Sequence, residues 1–349
     1  MATKNLTITD IARMAGVSKT TVSRYLNGKY EYMSEPTRER ISAVIDLVGY
    51  QPNNIARSLK SQKSMLVGLV IADIESPFSS AAIKSVGDAM LGTGYNIITA
   101  NCDNSFQKEQ DYIQSLMSQQ VDGLIVNTTS MNNPLLISLA NSGVPIVLLD
   151  RFVKDYKFDI AFIANREPIL SAIDHLLEMG YSRVALFTES YEHISPRNIR
   201  REVFVEKLNA MGISQSEHYV HVVDNSRQQS VCDSIQSLLD KCKGESTPPA
   251  IIASNGVTLM HLAKAIESMG LTMPQDIGLC GYDDWGWVSE LGWAGMINVG
   301  LTTVAPSIHA LGKLTAKALL RRMENPESEK QEIAVEAPLH IRQSTMLRR

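Results

Sequence analysis

Residues 7–28 read T-I-T-D-I-A-R-M-A-G-V-S-K-T-T-V-S-R-Y-L-N-G, which is the pattern of two short helices joined by a tight turn. Thr7 followed by Asp10 predicts a capping box at the start of the first helix. Gly16 stands where this helix must end, because glycine adopts the left-handed backbone conformation at no steric cost. Ser18 is the expected N-cap of the second helix. The stretch therefore predicts a helix-turn-helix.

The second helix of this pair carries polar side chains at its start, where a DNA-reading helix would meet a major groove. These side chains are Lys19, Thr20, Thr21, Ser23 and Arg24. Their donors and acceptors have the reach to meet base edges and phosphates. A plain helical hairpin with a solvated polar face explains the same residues, so this stretch alone leaves both interpretations open.

A third helix and a second motif follow the hairpin. Residues 34–49 (S-E-P-T-R-E-R-I-S-A-V-I-D-L-V-G) predict a helix with Ser34 as its N-cap and Pro36 in its first turn. Residues 49–59 then read G-Y-Q-P-N-N-I-A-R-S-L. The ordered pair of motifs, at 10–28 and 49–59, resembles the lactose-repressor/galactose-repressor family of bacterial transcription regulators. This resemblance favours the DNA-binding interpretation.

The resemblance implies roles for residues of the predicted DNA-binding head. Lys19, Thr20 and Arg24 match positions where the family's second helix meets bases, and a surface ion pair is the alternative role for Arg24. Phosphate contacts or helix caps are implied for Ser18, Thr21 and Asn27. Thr7 and Ser23 complete the set expected from this head. We therefore expect double-stranded operator DNA as a partner.

Residues 52–60 match the hinge helix of the family. The positions that the resemblance places nearest the DNA are Asn53, Ala56 and Leu59. In the family, the leucine that matches Leu59 wedges into the central minor-groove step and bends the duplex. A helix of this length is too short to be stable alone, so we expect it to order only when two copies and DNA meet.

Charge is divided unevenly along the chain. Residues 1–60 hold nine Lys and Arg against five Asp and Glu, which gives +4; the whole chain carries −4, so the remainder carries −8. A basic head on an acidic body fits a head that meets phosphates and a body that stays off DNA. The four cysteines lack the spacing of a metal site or a disulfide framework, which predicts reduced packing residues. No apolar signal segment or membrane-length run is evident, so we expect a cytoplasmic protein.

Short apolar runs alternate with amphipathic stretches after residue 64. The predicted strands form two series: 65–72, 95–100, 123–126 and 146–149, then 160–163, 184–187, 219–223, 250–253 and 277–280. This alternation predicts parallel sheets with helices on both faces, and two series predict two Rossmann-like lobes with a cleft between them.

The resemblance to the family extends through this body. The matching pieces are I-E-S-P-F (74–78), V-D-G-L-I-V (121–126), G-V-P-I-V-L-L-D-R (143–151), H-L-L-E-M-G-Y-S-R-V-A-L (175–186), M-P-Q-D-I-G-L-C-G-Y-D-D (273–284) and L-T-T-V (301–304). They imply a periplasmic-binding-protein-like α/β sensor of two lobes, with the chain crossing between lobes near 162, 303 and 326.

The expected domains follow from these matches. They are an all-α helix-turn-helix DNA-binding domain at 1–52, a hinge helix and linker at 53–63, and an effector-binding and dimerisation domain at 64–349. In the last of these, we expect lobe 1 at about 64–162 and 303–326, and lobe 2 at about 163–302 and 327–349.

For the cleft, the resemblance implies an effector site built from both lobes. It points to Phe78, Asp150, Arg200, Asn255 and Asp283, in which charged or amide side chains bind hydroxyls and an aromatic ring covers the carbon skeleton. Three neighbours complete the predicted effector set: Ser79, Arg197 and Trp285. The chain departs from the family pattern at Gly256, where a carboxylate is usual, and at Val203, where a glycine is usual.

The effector class is predicted from the same residues. Two arginines and a polar Ser79 favour an anionic sugar over a neutral one. The G-Y-D-D-W-G-W run at 281–287 also resembles the branch of the family that senses ketogluconate or keto-deoxygluconate. Trp285 is the expected pocket wall, whereas core packing is an equally good interpretation of Trp287 and Trp293.

An α/β enzyme and a periplasmic sugar-binding protein are the competing classes. No phosphate loop, nucleophile elbow or zinc-protease motif occurs in the sequence, and Gly92-Thr93-Gly94 precedes a predicted strand instead of following one. A transport protein needs a signal peptide and no DNA-binding head. We therefore expect no catalytic residues, no cofactor and no metal.

A homodimer is expected because one head reads only a half-site, and two-fold pairing aligns two heads on a palindrome. The family habit of catabolic regulators implies a repressor of carbohydrate or sugar-acid catabolism genes that its effector releases from DNA. A corepressor that strengthens DNA binding stays open as the alternative response.

Overall fold

The computed structural model describes residues 6–26, 28–50, 63–181, 183–213, 215–288 and 291–347, with the backbone alone at 286–288 and 291–292. The chain divides into two compact units, Met1–Met65 and Leu66–Arg349. Four of the predicted DNA-contacting residues lie outside the described residues: Asn27, Asn53, Ala56 and Leu59. Their roles, and the hinge helix expected at 53–63, therefore stay predictions.

The described part of the first unit consists of α1 (Ile8–Ala15), α2 (Lys19–Leu26) and α3 (Glu35–Val48), with a 3₁₀ turn between α2 and α3. The predicted capping box is present at Thr7: its Oγ1 accepts from Asp10 N at 3.3 Å, and its own N–H donates to Asp10 Oδ2 at 2.9 Å. Gly16 ends α1 with φ +65°, in the left-handed region that a Cβ would strain.

A small apolar core holds the three helices together. Its buried members are Ile11, Ala12, Ala15, Val22 and Ile41. Ser34 stands at the N-cap of α3 and Pro36 in the first turn, as predicted. The Ser34 hydroxyl lies 3.0 Å from Thr37 Oγ1 and does not accept from a backbone N–H.

The first lobe of the second unit is a parallel sheet. Its described strands are β1 (Leu66–Ile71), β2 (Asn96–Asn101), β3 (Gly123–Val126), β4 (Ile146–Leu149), β5 (Asp159–Ile163) and β13 (Glu332–Val335), in the order β13-β5-β4-β3-β1-β2. The helices of this lobe are α4 (Pro77–Met90), α5 (Phe106–Ser118), α6 (Pro134–Asn141) and α11 (Ile308–Glu324). β1, β3 and β4 are almost continuously buried, as expected of parallel strands covered on both faces.

The second lobe repeats this plan. Its described strands are β6 (Arg183–Thr188), β7 (Val220–Val222), β8 (Pro249–Ala253), β9 (Gly278–Tyr282), β12 (Thr302–Val304) and β14 (Leu339–His340), in the order β14-β12-β9-β8-β6-β7, with β14 antiparallel. Its helices are α7 (Arg166–Glu178), α8 (Ser195–Ala210), α9 (Gln228–Lys241) and α10 (Gly256–Ser268). A two-stranded hairpin, β10 (Gly286–Val288) and β11 (Leu291–Gly292), follows β9. The predicted α/β architecture of two lobes is confirmed.

The described chain passes between the lobes after β5, after β12 and after β13. The predicted position of the third crossing, near residue 326, is wrong. β13 pairs in parallel with β5, with Glu332 opposite Ile160, so the chain stays in the first lobe through Val335. The crossing therefore lies at 336–338, and lobe 1 extends about ten residues further than predicted because a short, largely exposed edge strand precedes it.

The four cysteines are free, as predicted; Cys102, Cys242 and Cys280 are buried and Cys232 is half-buried. Burial raises the pKa of the Cys102 and Cys280 thiols to about 12, so both are protonated packing residues at neutral pH. Among the described helices, none is both long enough and apolar enough to cross a membrane.

Candidate functional site

The start of α2 presents the side chains predicted to read bases. Lys19, Thr20 and Arg24 are exposed, whereas Thr21 and Ser23 are half-buried. The Arg24 guanidinium lies over the ring of Tyr32, with its Cζ 5.0 Å from the ring centroid. Arg24 has no carboxylate within ion-pair distance in the part of the chain that the structure describes, so the alternative of a surface ion pair is absent there.

Ser18 and Thr21 form the cap of α2. Thr21 N donates to Ser18 Oγ at 3.1 Å, and the two hydroxyl oxygens lie 2.8 Å apart. Of the two roles predicted for this pair, the helix cap is present. Contact with phosphate stays a prediction, although both hydroxyls lie at a helix N-terminus, where backbone dipoles favour an anion.

The predicted effector residues lie where strands of the two sheets end. Asp150 follows β4, Asp283 and Trp285 follow β9, and Asn255 lies between β8 and α10. Phe78 and Ser79 are in the first turn of α4, and Arg197 and Arg200 are in the first half of α8. The carboxyl ends of parallel strands are where open α/β sheets bind ligands.

Asp150 and Asp283 occupy equivalent places in the two lobes. Both adopt the left-handed conformation, with φ of 65° and 73°. Asp150 N donates to Ala161 O at 2.8 Å, and Asp283 N donates to Val304 O at 2.9 Å, so each residue is fixed to the strand beside its own. Asp150 Oδ1 accepts from Ile163 N at 3.1 Å, and Asp283 Oδ2 accepts from Gly256 N at 2.9 Å. Strained backbone of this kind clusters at binding sites.

The pKa of each of these two carboxyl groups is raised. Burial is the main cause for both Asp150 and Asp283, and the nearby charge of Arg200 partly counters it. The two carboxylates also act on each other, since Asp150 raises the pKa of Asp283. The three side chains are therefore close enough to form one electrostatic cluster shared by both lobes.

Arg200 is held as a buried cation beside the two aspartates. It is 4% exposed, its Nε donates to Asn165 Oδ1 at 2.8 Å, and its Nη1 donates to Ser254 O at 2.5 Å. Its Cζ lies 3.7 Å from the centroid of the Tyr282 ring, which supports the flat guanidinium. No described carboxylate lies within ion-pair distance of it. The geometry therefore offers a fixed positive group to a ligand.

Arg197 and Asn255 are joined through a residue that the sequence did not point to, Glu189. Glu189 Oε2 accepts from Arg197 Nη2 at 2.5 Å and from Asn255 Nδ2 at 2.9 Å. The Oδ1 atom of Asn255 accepts from Thr258 N at 2.9 Å, so this side chain also caps α10. Burial lowers the pKa of Arg197, and the charge of Glu189 counters this effect.

Trp285 packs into the wall beside Asp283. A Cβ at position 256 would lie 2.4 Å from Trp285 Cη2, so the indole ring requires glycine there. This packing explains why the chain departs from the family pattern at Gly256. Trp285 is 3% exposed and stacks on Trp293 at 5.8 Å between ring centroids, so both rings also belong to the core. The Trp287 side chain lies outside the described residues.

The two predicted residues of α4 are placed differently from the charged cluster. Ser79 is buried, and Phe78 is half-buried against the hydrophobic core. No side-chain hydrogen bond links either of them to the charged residues described above. Their predicted part in effector binding therefore rests on their position after β1.

Two further residues on the first lobe were missed by sequence reasoning. Arg151 donates from Nη1 to Thr128 O at 3.0 Å. Burial is the main cause, and repulsion from Arg197 the second, that lowers the pKa of Arg151 to about 10. Glu109 is fully buried and accepts from Thr129 N, among other donors of the loop after β3. Arg151 adjoins Asp150 in sequence and could have been found on that signal. Glu109 lies in the first turn of α5, where an acidic residue is ordinary helix chemistry, so it gave no such signal. Within the described ranges, no group of three or more His, Cys, Asp or Glu side chains could hold a metal ion.

Two sequence models of known families match the chain. The model of bacterial regulatory proteins of the lacI family matches residues 7–53, and that of the periplasmic binding protein-like domain matches residues 173–345. The HTH-type transcriptional regulator KdgR of Bacillus subtilis is 35% identical over 344 residues, covering 98% of both chains. The regulator PtxS of Pseudomonas putida is 32% identical over 346 residues, covering 98% of this chain and 96% of the relative.

Solved structures share the same fold. The lac repressor dimer bound to operator and the anti-inducer ONPF superposes with a TM-score of 0.82 at 22% identity, covering 98% of this chain and all of the other. The complex of the transcriptional regulator CelR with cellobiose gives 0.68 at 25% identity, covering 97% and 99%. Because relatives more than 30% identical cover nearly the whole chain, the family predicted from the sequence motifs is confirmed. The chain belongs to the LacI family of bacterial regulatory proteins and is a DNA-binding transcription regulator.

Proposed function

We propose that the protein represses genes of sugar-acid catabolism and that a sugar acid, bound in the cleft between the two lobes, releases it from operator DNA. The observation that carries this proposal is Arg200, a 4% exposed guanidinium with no carboxylate in ion-pair distance among the described residues. Asp150 and Asp283 act on this cation from beyond ion-pair distance, so the guanidinium can still take a carboxylate in direct contact. A carboxylate on the ligand supplies this contact.

The other cleft residues supply contacts for the rest of the ligand. Asp150 and Asp283 present carboxyl oxygens from opposite lobes, and these oxygens suit sugar hydroxyls. The half-buried Phe78 offers apolar surface to the carbon chain. The buried Trp285 ring supports the wall beside Asp283 from the core. Ser79 adds no charge and leaves the wall beside Phe78 small. Arg197 offers a second cation, which Glu189 binds.

The relatives agree with this class of effector only in general terms. They include a regulator in complex with cellobiose and repressors of sucrose and ribose operons, which are regulators of sugar metabolism. The lac repressor structure is a dimer on its operator. We therefore infer that this chain also binds a palindromic operator as a homodimer, with half-sites about one helical turn apart and a site of roughly 14–20 bp.

Signal transfer follows from where the ligand binds. A ligand that contacts Asp150 on one lobe and Arg200 on the other favours one angle between the lobes. Its effect on DNA binding equals its differential affinity for the two arrangements, typically about 1–3 kcal/mol. The hinge at residues 53–63 is the segment that we expect to respond.

Calorimetry tests the proposed effector. The purified full chain is titrated with the sugar acids gluconate, 2-ketogluconate and 2-keto-3-deoxygluconate, and with glucose as the neutral control. We expect at least one acid to bind, glucose to bind much more weakly, and Arg200→Ala or Asp283→Ala to abolish binding of the acid. Arg166→Ala removes an exposed arginine at the start of α7 and serves as the matched control. Glucose binding better than every acid, or Arg200→Ala without effect, would overturn the proposal.

A further inference from the structure

Glu189 accepts hydrogen bonds from Arg197 and Asn255, two side chains that the proposed effector site needs. It follows β6 directly, at the carboxyl end of the second sheet, while Arg197 lies in the first turn of α8 and Asn255 caps α10. One oxygen of Glu189 accepts from both Arg197 Nη2 and Asn255 Nδ2. A carboxylate of the protein itself therefore lies where a guanidinium and an amide converge.

We propose that Glu189 is an internal anion which holds the second carboxylate-binding position of the cleft and which an acidic ligand displaces. This inference rests on the proposed function and deepens it, because it assigns Arg197 and Asn255 a partner in the ligand-free state. It makes ligand binding an exchange of one carboxylate for another on the same two donors.

The geometry keeps these donors in place during such an exchange. Arg197 Nη1 donates to Ser190 O at 3.0 Å, and Asn255 Oδ1 accepts from Thr258 N at 2.9 Å, so neither side chain depends on Glu189 alone. The Glu189 side chain is 28% exposed, so its carboxylate has water within reach when it leaves. A site whose donors are already oriented loses less entropy when the ligand binds.

The exchange also discriminates between ligands. A sugar acid replaces the lost ion pair with a new one, whereas a neutral sugar offers only hydroxyl groups in place of a charge-assisted bond. Glu189 therefore weakens binding of every ligand, and it weakens binding of neutral sugars most. Two cation positions, Arg200 without a carboxylate partner and Arg197 with an internal one, give the cleft its preference for acids.

Glu189→Gln tests this role because the amide keeps the shape of the side chain and removes its charge. We expect the Kd of the best sugar acid to fall by roughly tenfold and weak binding of glucose to become measurable. Glu192→Gln is the matched control, since Glu192 is an exposed glutamate three residues further along the same loop. It makes the same change in net charge and should leave both affinities unchanged.

A double-mutant cycle separates displacement from simple charge repulsion. If Glu189 competes for Arg197, the gain from Glu189→Gln should disappear in an Arg197→Ala background; if Glu189 only repels the anion, the gain should persist there. A persistent gain, or unchanged or weaker binding by Glu189→Gln, would overturn the inference.

The outcomes also separate this inference from the proposed function. Binding of the acid that Arg200→Ala abolishes, but that Glu189→Gln does not improve, supports the proposed effector and rejects the role of Glu189. Binding by Glu189→Gln alone would support the role of Glu189 and reject the acid as an effector of the natural chain. If neither protein binds any acid, both proposals are rejected.

Discussion

The helix-turn-helix unit and the cleft of the sensor unit hold their functional side chains in opposite ways. On α2, Lys19, Thr20 and Arg24 are exposed, and the Arg24 guanidinium lies over the ring of Tyr32. In the cleft, Arg200 and Asp283 are buried and held by backbone and side-chain hydrogen bonds. We therefore expect that the residues predicted to read DNA can be substituted without unfolding the protein, whereas substitutions in the predicted effector cleft should also cost stability.

The largest expected effect on stability is at Arg200. Arg200→Ala leaves Asn165 Oδ1 and Ser254 O without this donor and removes the positive charge near two buried aspartates, so we expect a loss of about 3 kcal/mol. Urea unfolding of the full chain measures this loss. Arg166→Ala breaks an exposed ion pair with Glu206 and should cost less than about 1 kcal/mol. Equal effects of the two substitutions would show that the buried contacts of Arg200 add no more stability than an exposed ion pair.

Arg24→Ala should weaken DNA binding without lowering stability, in contrast to Arg200→Ala. We expect operator binding to weaken by about 1–3 kcal/mol, with relaxed preference at one base pair per half-site and no change in the urea midpoint. Anisotropy titrations on a set of single-base operator variants measure both quantities. Arg13→Ala removes an exposed arginine of α1 that pairs with Asp10, and its base preference should stay that of the wild type. Base preference that survives Arg24→Ala would argue against the predicted docking of α2.

Leu59→Ala tests the part of the DNA-binding region for which the prediction rests on the sequence alone. We expect operator affinity to fall by roughly tenfold and the bend of the DNA to decrease, because an apolar wedge between base steps is lost. Affinity for the sugar acid should not change, since the cleft is built from other residues. A variant with full affinity and full bend would contradict the wedge role of Leu59.

The smallest expected effect concerns a polar ring packed in the second lobe. His221 stacks on Phe187 at 4.6 Å, its Nε2 has no described partner, and burial lowers its pKa to about 4. The unfolded chain binds a proton near pH 6.5 and the folded chain does not, so stability falls as pH drops from about 6.5 towards about 4. Because the ring is only half-buried and solvent screens its charge, we expect a loss of about 1 kcal/mol or less.

Urea midpoints at about pH 7.5 and about pH 5 measure this loss. His221→Phe should reduce the difference between the two midpoints, and His218→Phe, at an exposed position, should not. An unchanged difference in His221→Phe would show that other groups cause the acid sensitivity.

Sequence reasoning succeeded where the interacting residues are neighbours along the chain. The Thr7–Asp10 capping box spans three residues, and the αL cap at Gly16 depends on one, so both could be predicted. The link between Glu189 and Asn255 spans 66 residues, and that between Arg200 and Asn165 spans 35. Such pairs are set by the order of strands in the sheet, which the sequence pattern does not specify.

The same limit explains the misplaced third crossing. β13 is four residues long, mostly exposed and at the edge of its sheet, so it lacks the buried apolar run that identified the central strands. The positive φ at Asp150 and Asp283 was also not predictable, because tertiary contacts to the neighbouring strands impose it.

The central claim is that an acid bound in the cleft releases the operator. The most direct measurement is an anisotropy titration of labelled operator with the full chain at fixed salt, with and without saturating sugar acid. We predict that the acid weakens operator binding by about 5- to 150-fold in the wild type and has no effect in Arg200→Ala. Operator affinity that is unchanged, or that the acid strengthens, would contradict the account.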